Sequence, residues 1–418
     1  MTQSNKFFTY SWFVDDSNSE VTHIRIYGIG QQGENICIRV NNFTPYVYIE
    51  LPPEITWTQS TSQLVSNKID DLLREKKPLT KVFCMRKKLY GVQFKDGTRE
   101  RQLFPYLFCT FSSIQDIRAL LYTTKKHITI PGCGRLLFKV HEFNADPILQ
   151  LTCCSDIPTA GWVKFAGKEI TEDDKLSLCD KEYVVKWKNL KKDESLTVPP
   201  KPLIMSFDIE VNSTNPSAMP NADKPGDKVF QISCVFAYEG NKENSMEKYI
   251  LTLGDPIQEM VGVGVHILTY TSESELLCGF TTLIRQKNPN IICGYNILGF
   301  DIPYMIRRAQ SQWCWCMDDF DKQGFHKYNH AHVKLIKWSS SAYKNQEFEY
   351  LDAEGRLFVD LLPVIKRDFK MSNYRLKTIS DYFIGETKDP LSVKGIFKCY
   401  RIGMKQMYGK ELRVPNFR

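Results

Sequence analysis

No stretch of this 418-residue sequence is long and apolar enough to cross a bilayer. The most apolar run, Met260 to Tyr270, falls far short of the roughly 20 residues a spanning helix needs. The N-terminus, Met1-Thr-Gln-Ser-Asn-Lys6, lacks the basic-then-apolar layout of a secretory signal. Together these absences predict a soluble protein that is not secreted and has no membrane partner. The thirteen cysteines are odd in number, scattered from Cys37 to Cys399, and contain no repeated Cys-x-x-Cys. They read as reduced thiols of a cytosolic or nuclear protein. Internal repeats and low-complexity tracts are also missing. A strong charge imbalance is absent too: the net charge of +7 is compatible with a polyanionic partner but too diffuse to establish one.

What is present is a chain with 42% hydrophobic residues, enough for two or three ordinary domains. Residues 7–51 alternate apolar and polar positions in short runs, His23-Ile-Arg-Ile-Tyr27, Ile36-Cys-Ile-Arg-Val40 and Tyr46-Val-Tyr-Ile49, as half-buried antiparallel strands do. Helical spacing follows around 64–77 and 113–123, and Leu136 to Val140 returns to strand, so the first part is α+β. The segment 186–200 is charged and ends in Pro199-Pro200, the composition of a linker. The main boundary is placed there. Beyond it, Leu203 to Val211 alternates, and strands are predicted at Val229–Tyr238 and Lys248–Leu253. Ser272 or Ser274 caps a helix with Leu276, Leu277, Phe280, Leu283 and Ile284 on one stripe, and Ile291 to Tyr295 is a short buried strand. Three strands, a helix, a strand and a helix are the order of a ribonuclease-H-like α/β core.

Asp208 and Glu210 sit two apart on a predicted strand, so both carboxylates leave the same face, about 7 Å apart at ~3.3 Å per residue. Such a pair suits Mg²⁺ or Mn²⁺, and two ions about 3.5–4 Å apart are a common device for hydrolysing phosphodiesters. A solvated Asp-x-Glu at the end of an edge strand is the other reading, and the apolar neighbours Leu203-Ile-Met-Ser-Phe207 and Val211 weigh against it. In the second constellation, Gly294-Tyr-Asn-Ile-Leu-Gly-Phe-Asp301, the aspartate stands at a helix entrance, where it is either an N-cap or a third carboxylate of the same site. His326, His330 and His332 lack a fourth ligand at a fixed offset and read as a surface loop rather than a zinc site. The Arg86-Lys87-Lys88 cluster reads as a solvated face. Tyr46 and Tyr48 read as core before they read as base-stacking residues.

Phe207-Asp-Ile-Glu210 is similar to the first exonuclease motif of family B DNA polymerases, and Tyr295-Asn-Ile-Leu-Gly-Phe-Asp301 to the second. Further matches are Phe43-Thr-Pro-Tyr-Val-Tyr-Ile49, Lys88-Leu-Tyr-Gly91, Phe143-Asn-Ala-Asp-Pro-Ile-Leu149 with Gly161-Trp162, and Phe358-Val-Asp-Leu-Leu362 with Tyr374-Arg-Leu376. They run from about residue 10 to 400 and resemble the delta-like branch that includes large-DNA-virus enzymes. The resemblance implies a β-rich N-terminal domain over 1–199 and a ribonuclease-H-like 3′→5′ proofreading exonuclease domain over 200–418. It further implies two Mg²⁺ (or Mn²⁺) ions held by Asp208, Glu210 and Asp301, Asn296 holding the substrate strand, and Phe300 packing on the 3′-terminal nucleotide. DNA is the implied partner, as a single-stranded 3′ end and a template strand, in a nuclear or cytoplasmic replication compartment. Asp360, a candidate further metal ligand, falls where that family places an Asp-Leu at the end of a core strand, and it reads as structural.

The family's third exonuclease motif, Tyr-x-x-x-Asp, is not found after Tyr374: Tyr382, Tyr400 and Tyr408 are followed four residues later by Glu386, Met404 and Leu412. The polymerase palm motifs are also absent. On this reading the exonuclease domain is incomplete and needs a C-terminal polymerase portion in cis or as a separate chain. The isolated chain is then expected to be a poor nuclease. The alternative is a catalytically inactive ribonuclease-H-like module that binds DNA or a partner.

Overall fold

The structure, a computed structural model, describes residues 5–16, 20–53, 55–88, 95, 97, 100–256, 263–340, 344–386 and 392–408. The chain forms two compact units, Met1–Asp173 with Asp180–Pro199, and Asp174–Cys179 with Pro200–Arg418.

The first unit has two separate apolar cores. Around one, a seven-stranded sheet includes Asn5–Asp15, His23–Gly30, Asn35–Asn41 and Gly161–Phe165, with Phe7, Ile26, Ile38, Phe165 and Val185 buried. The Tyr46–Glu50 run does not continue this sheet. It enters a second, four-stranded one, ordered Thr80–Arg86, Phe104–Thr110, Tyr46–Glu50, Lys139–His141. Helices Gln59–Leu73 and Ile114–Thr124 supply Val65, Ile69, Ile117 and Leu120 to a core shared with Val47, Ile49, Leu107 and Cys109 of the strands. The segment predicted to be a linker is folded in its first half. Lys181–Lys186 pairs in parallel with Asn35–Asn41, and Lys191–Lys192 pairs with Lys164 and Val163. Its lysines Lys186, Lys188, Lys191 and Lys192 are exposed while Leu190 is buried, and Trp187 packs edge-on against Phe43 at 6.0 Å. Charge counting registers the lysines alone.

In the second unit the alternation of Leu203–Val211 is realised: Met205, Phe207, Ile209 and Val211 face the core while Ser206 and Asp208 are exposed. This strand is central. It runs antiparallel to Val229–Tyr238 and parallel to Ile291–Gly294 within a six-stranded mixed sheet, which excludes the edge-strand reading. Helix Glu273–Lys287 starts at a capping box of Ser272 and Glu275 and buries Leu276, Leu277, Phe280, Leu283 and Ile284, the predicted stripe. A strand at Val265–Tyr270, parallel to Glu247–Leu253, and a hairpin of His332–Ser340 with Lys344–Asp352 are additional to the elements read from sequence. Asp174–Cys179 joins this unit through backbone hydrogen bonds of Leu178 N–H to Phe325 O and Lys327 N–H to Leu176 O, each 2.7 Å. Among the described residues, no helix is long and apolar enough to cross a membrane.

Candidate active site

Asp208 and Glu210 lie near the C-terminal end of the central strand, next to a register shift between Glu210 and Val211. Such bulges re-aim side chains and are frequent beside active sites. The neighbouring strand Ile291–Gly294, paired with Ile204, Met205 and Ser206, ends short of them, and its continuation carries Asp301 to the Ile209 backbone. Gly294 is required there, since a Cβ would meet Phe207 O at 2.8 Å and Ile297 Cγ2 at 2.4 Å. Asn296 then takes φ 66°, a left-handed conformation asparagine tolerates better than most residues.

Asp360 braces this turn. Its carboxylate accepts the backbone N–H groups of Asn296 (2.8 Å), Leu298 (3.0 Å) and Leu362 (2.9 Å), the last as N-cap of helix Leu361–Asp368. Both oxygens are thereby committed, which is the structural role read from sequence. Asp360→Ala leaves three inward-facing N–H groups to find other partners. It should lower stability by about 2–4 kcal/mol in urea unfolding with EDTA present. An unchanged midpoint would show that the turn holds itself.

Asp301 opens helix Asp301–Gln310, but Phe300 occupies the cap position and Asp301 is not the N-cap. Its carboxylate reaches across the fold instead: Oδ1 accepts the backbone N–H of Ile209 at 3.2 Å, the residue between Asp208 and Glu210. Only 3% exposed, Asp301 is raised to about 7 by burial first and the negative charge of Asp208 second, against the pull of the Ile209 hydrogen bond. The Asp301 carboxylate thus lies close enough to Asp208 to feel its charge. The donors are hard carboxylate oxygens, the type of ligand that Mg²⁺ and Mn²⁺ take. Among the described residues, however, no group of three or more His, Cys, Asp or Glu is drawn together tightly enough to hold an ion.

Two clefts flank this turn. One, of about 410 Å³, is lined by Leu298, Gly299, Phe300, Tyr304 and Arg307, with the Phe300 and Tyr304 rings 5.4 Å apart. The other, of about 520 Å³, runs past Ser206, Asp208, Ser233, Tyr295 and Ser380 and is otherwise apolar, with Ile365, Phe369, Ile379 and Phe383 on its wall.

Sequence reasoning missed the clamp behind the site. Fully buried Arg308 donates from Nε to Glu273 Oε1 (2.8 Å) and from Nη2 to Glu273 Oε2 (2.5 Å), and from Nη1 to the carbonyls of Ala222 (2.8 Å) and Lys224 (2.7 Å). Glu273 Oε1 also accepts the N–H of Val229. The cluster ties the helix that begins at Asp301 to the loop that follows Glu210. An Arg307-Arg308 pair at a helix end looks like solvated charge in sequence, so nothing local betrays it. The histidine run is not a surface loop throughout: His326 is buried and its Nδ1 accepts the N–H groups of Tyr328 and Asn329, while His330 Nδ1 lies 2.6 Å from Asp321. Of the Lys88-Leu-Tyr-Gly91 match, residues 89–91 lie outside the described residues.

A mixed sheet whose central strand carries Asp-x-Glu beside a buried aspartate defines a nuclease-type α/β domain. Residues 138–379 match the model of the DNA polymerase family B exonuclease domain, and the chain belongs to that family. It is 44% identical over 417 residues to DNA polymerase 120R of Invertebrate iridescent virus 3, covering 96% of this chain and 36% of that protein. With the DNA polymerase delta catalytic subunit of Glycine max it shares 27% over 392 residues, covering 90% and 34% respectively. A family B DNA polymerase from the archaeon Pyrobaculum calidifontis superposes with a TM-score of 0.60 at 16% identity, covering 98% of this chain and 44% of that one. The chain thus spans about a third of the length of these sequence relatives. The family is an enzyme family, and its exonuclease domains are metal-dependent.

Proposed function

We propose that the unit 200–418 is the 3′→5′ proofreading exonuclease domain of a replicative DNA polymerase and that 1–199 is the N-terminal domain guiding the template strand. The observation that supports this is the hydrogen bond from Ile209 N–H, the residue between Asp208 and Glu210 on the strand, to the carboxylate of buried Asp301. In this reading Asp208, Glu210 and Asp301 hold two Mg²⁺ or Mn²⁺ ions. When bound, such ions activate water and neutralise charge building on the scissile phosphate. Asn296, fixed by Asp360, holds the substrate strand, and Phe300 supports the 3′-terminal nucleotide from the wall of its cleft. The partners are a single-stranded 3′ end, the template, and the polymerase portion present in the relatives, acting in a nuclear or cytoplasmic replication compartment.

The test is digestion of a 5′-labelled single-stranded oligonucleotide by the chain, alone and with the downstream polymerase portion of an iridovirus relative supplied. With the polymerase portion present a ladder shortening from the 3′ end is expected, far fainter with the chain alone, dependent on Mg²⁺ or Mn²⁺ and reduced by at least about 100-fold in Asp208→Ala, as removal of a group that stabilises the transition state does. The lack of a closed three-carboxylate group among the described residues favours a second reading, an inactive ribonuclease-H-like binding module. Oligonucleotide binding without a ladder, with the polymerase portion present, selects that reading.

A further inference from the structure

The charge of the chain is not spread evenly. Residues 46–141 carry sixteen Lys and Arg against eight Asp and Glu, a net of +8, whereas the whole chain is +7. This stretch has its own apolar core and runs strand, helix, strand, strand, helix, strand around its four-stranded sheet, with a two-stranded pair, Ile128–Ile130 and Gly134–Leu136, before the last strand. The helices cover one face, taking Val47, Ile49, Leu107 and Cys109.

The register defines what the other face carries. Tyr48 stands opposite both Phe108 and His141, Glu50 opposite Tyr106 and Lys139, and Arg86 opposite Phe104. Rings therefore run across the two central strands, with Tyr48 and Phe108 5.0 Å apart and Tyr46 and Phe108 5.3 Å apart. Cations rim them: Arg86 lies 4.7 Å over Tyr48, Lys88 4.7 Å over Phe104, and Lys139 is exposed. Two acidic groups lie at the face, Glu50, which is paired with Lys88 (3.1 Å) and His141 (2.7 Å), and Glu142 at the Tyr46 end, near enough to act on Tyr46 and Tyr48. Tyr48 and Tyr106 are buried, Phe104 and Phe108 are half-buried, and Val82 beside Phe108 is 52% exposed. The helix Pro147–Ser155 closes the Tyr46 end, where Gln150 brackets the Tyr46 backbone. The Arg86 end carries the cations. A pleated sheet with aromatics on its two central strands and a basic rim is suited to unstacked bases and their phosphates, whereas a duplex keeps its bases stacked and out of reach.

We propose that this face, centred on Phe108 and Arg86, binds single-stranded DNA, with Arg86, Lys88 and Lys139 taking phosphates and Phe108 with Phe104 presenting the stacking surface. The choice of DNA rests on the polymerase reading above. The face itself is independent of the nuclease site, and its test is therefore made without divalent cations and in the Asp208→Ala background.

Fluorescence anisotropy of a labelled 20-nucleotide oligo-dT is measured with the full chain from low to physiological salt. The triple variant Arg86→Gln, Lys88→Gln, Lys139→Gln should bind about tenfold more weakly at low salt. The magnitude of its slope of log affinity against log salt should fall by about 2, as for three lost single-strand phosphate contacts. Phe108→Leu should weaken binding about fivefold with the slope unchanged, because stacking is not ionic. The control Lys248→Gln, Lys322→Gln, Lys337→Gln, with the same charge loss in the other unit, should shift affinity less than the first triple. Equal effects of the two triples would overturn the proposal, as would no change in slope, or duplex bound as tightly as the single strand. A tenfold preference for oligo-U over oligo-dT would overturn the assignment to DNA. Circular dichroism melting confirms that each variant is folded, and Phe104→Leu replaces Phe108→Leu if the latter is not.

Discussion

Replacing Asp301 by Asn should make the metal-free protein more stable at pH 8 while destroying its response to divalent cations. In the folded chain Asp301 is raised to about 7 from an ordinary 3.8 by burial and by Asp208. A group so raised contributes its full stability below about pH 4, where it is protonated in both states, and loses that contribution as pH climbs through 7. At pH 8 the wild-type chain carries a buried carboxylate at a cost on the order of 2–4 kcal/mol. Asparagine keeps an oxygen for the Ile209 N–H and carries no charge. The stability difference between Asp301→Asn and wild type should therefore be greatest above pH 7 and fade towards pH 4. Millimolar Mn²⁺ should reverse the ranking: an ion at 100 times its dissociation constant stabilises the wild type by about 2.7 kcal/mol, and the variant should gain little of it. Thermal melts in EDTA and in Mn²⁺ at pH 4.5, 6 and 8 decide it. A variant less stable than wild type in EDTA at pH 8 would mean that Asp301 serves the fold rather than an ion.

The second large effect lies at the clamp. Arg308→Met removes the guanidinium from a site where it is fully buried and leaves the Glu273 carboxylate with the N–H of Val229 and the Cys314 thiol. Breaking a buried pair from one side costs about 3–5 kcal/mol because the surviving charge is uncompensated. It also frees the carbonyls of Ala222 and Lys224, hence the loop after Glu210. The double variant Arg308→Met, Glu273→Met removes both charges and should recover more than half of the loss, since an apolar pair of similar volume often replaces a buried ion pair without penalty. Urea unfolding of the two singles and the double closes the cycle. If the double variant is as unstable as the sum of the singles, the guanidinium acts through the loop carbonyls rather than through Glu273.

Much of the second unit was legible in sequence because its elements obey local rules. The strand Leu203–Val211 alternates with period two, the helix after Ser272 has a capping box and a single apolar stripe, and the turn at Gly294 is marked by its glycine. Asp208 and Glu210 were identifiable as candidates because they share one face of an otherwise apolar strand, and Asp301 because it stands at a helix entrance after the Gly294 turn. The elements that were missed lack such local signals. Val265–Tyr270 is half-buried, and the hairpin His332–Asp352 mixes Lys and Glu with apolar residues on exposed strands. The supposed linker after Lys186 showed only its charged outer side.

By itself, then, the sequence determined the alternation and caps of the nuclease unit, the carboxylates available to it, and the family to which they belong, because these depend on residue type at short spacing. Tertiary structure alone decided that Asp301 reaches the backbone of Ile209 instead of capping its own helix, and that Asp360 spends its carboxylate on three backbone N–H groups. It alone decided that Arg308 is buried against Glu273, and that Tyr46 starts a second sheet with a basic aromatic face. Each of these joins residues far apart in the chain or sets the face a strand presents, and the energy of a buried charge depends on what surrounds it rather than on its neighbours in sequence.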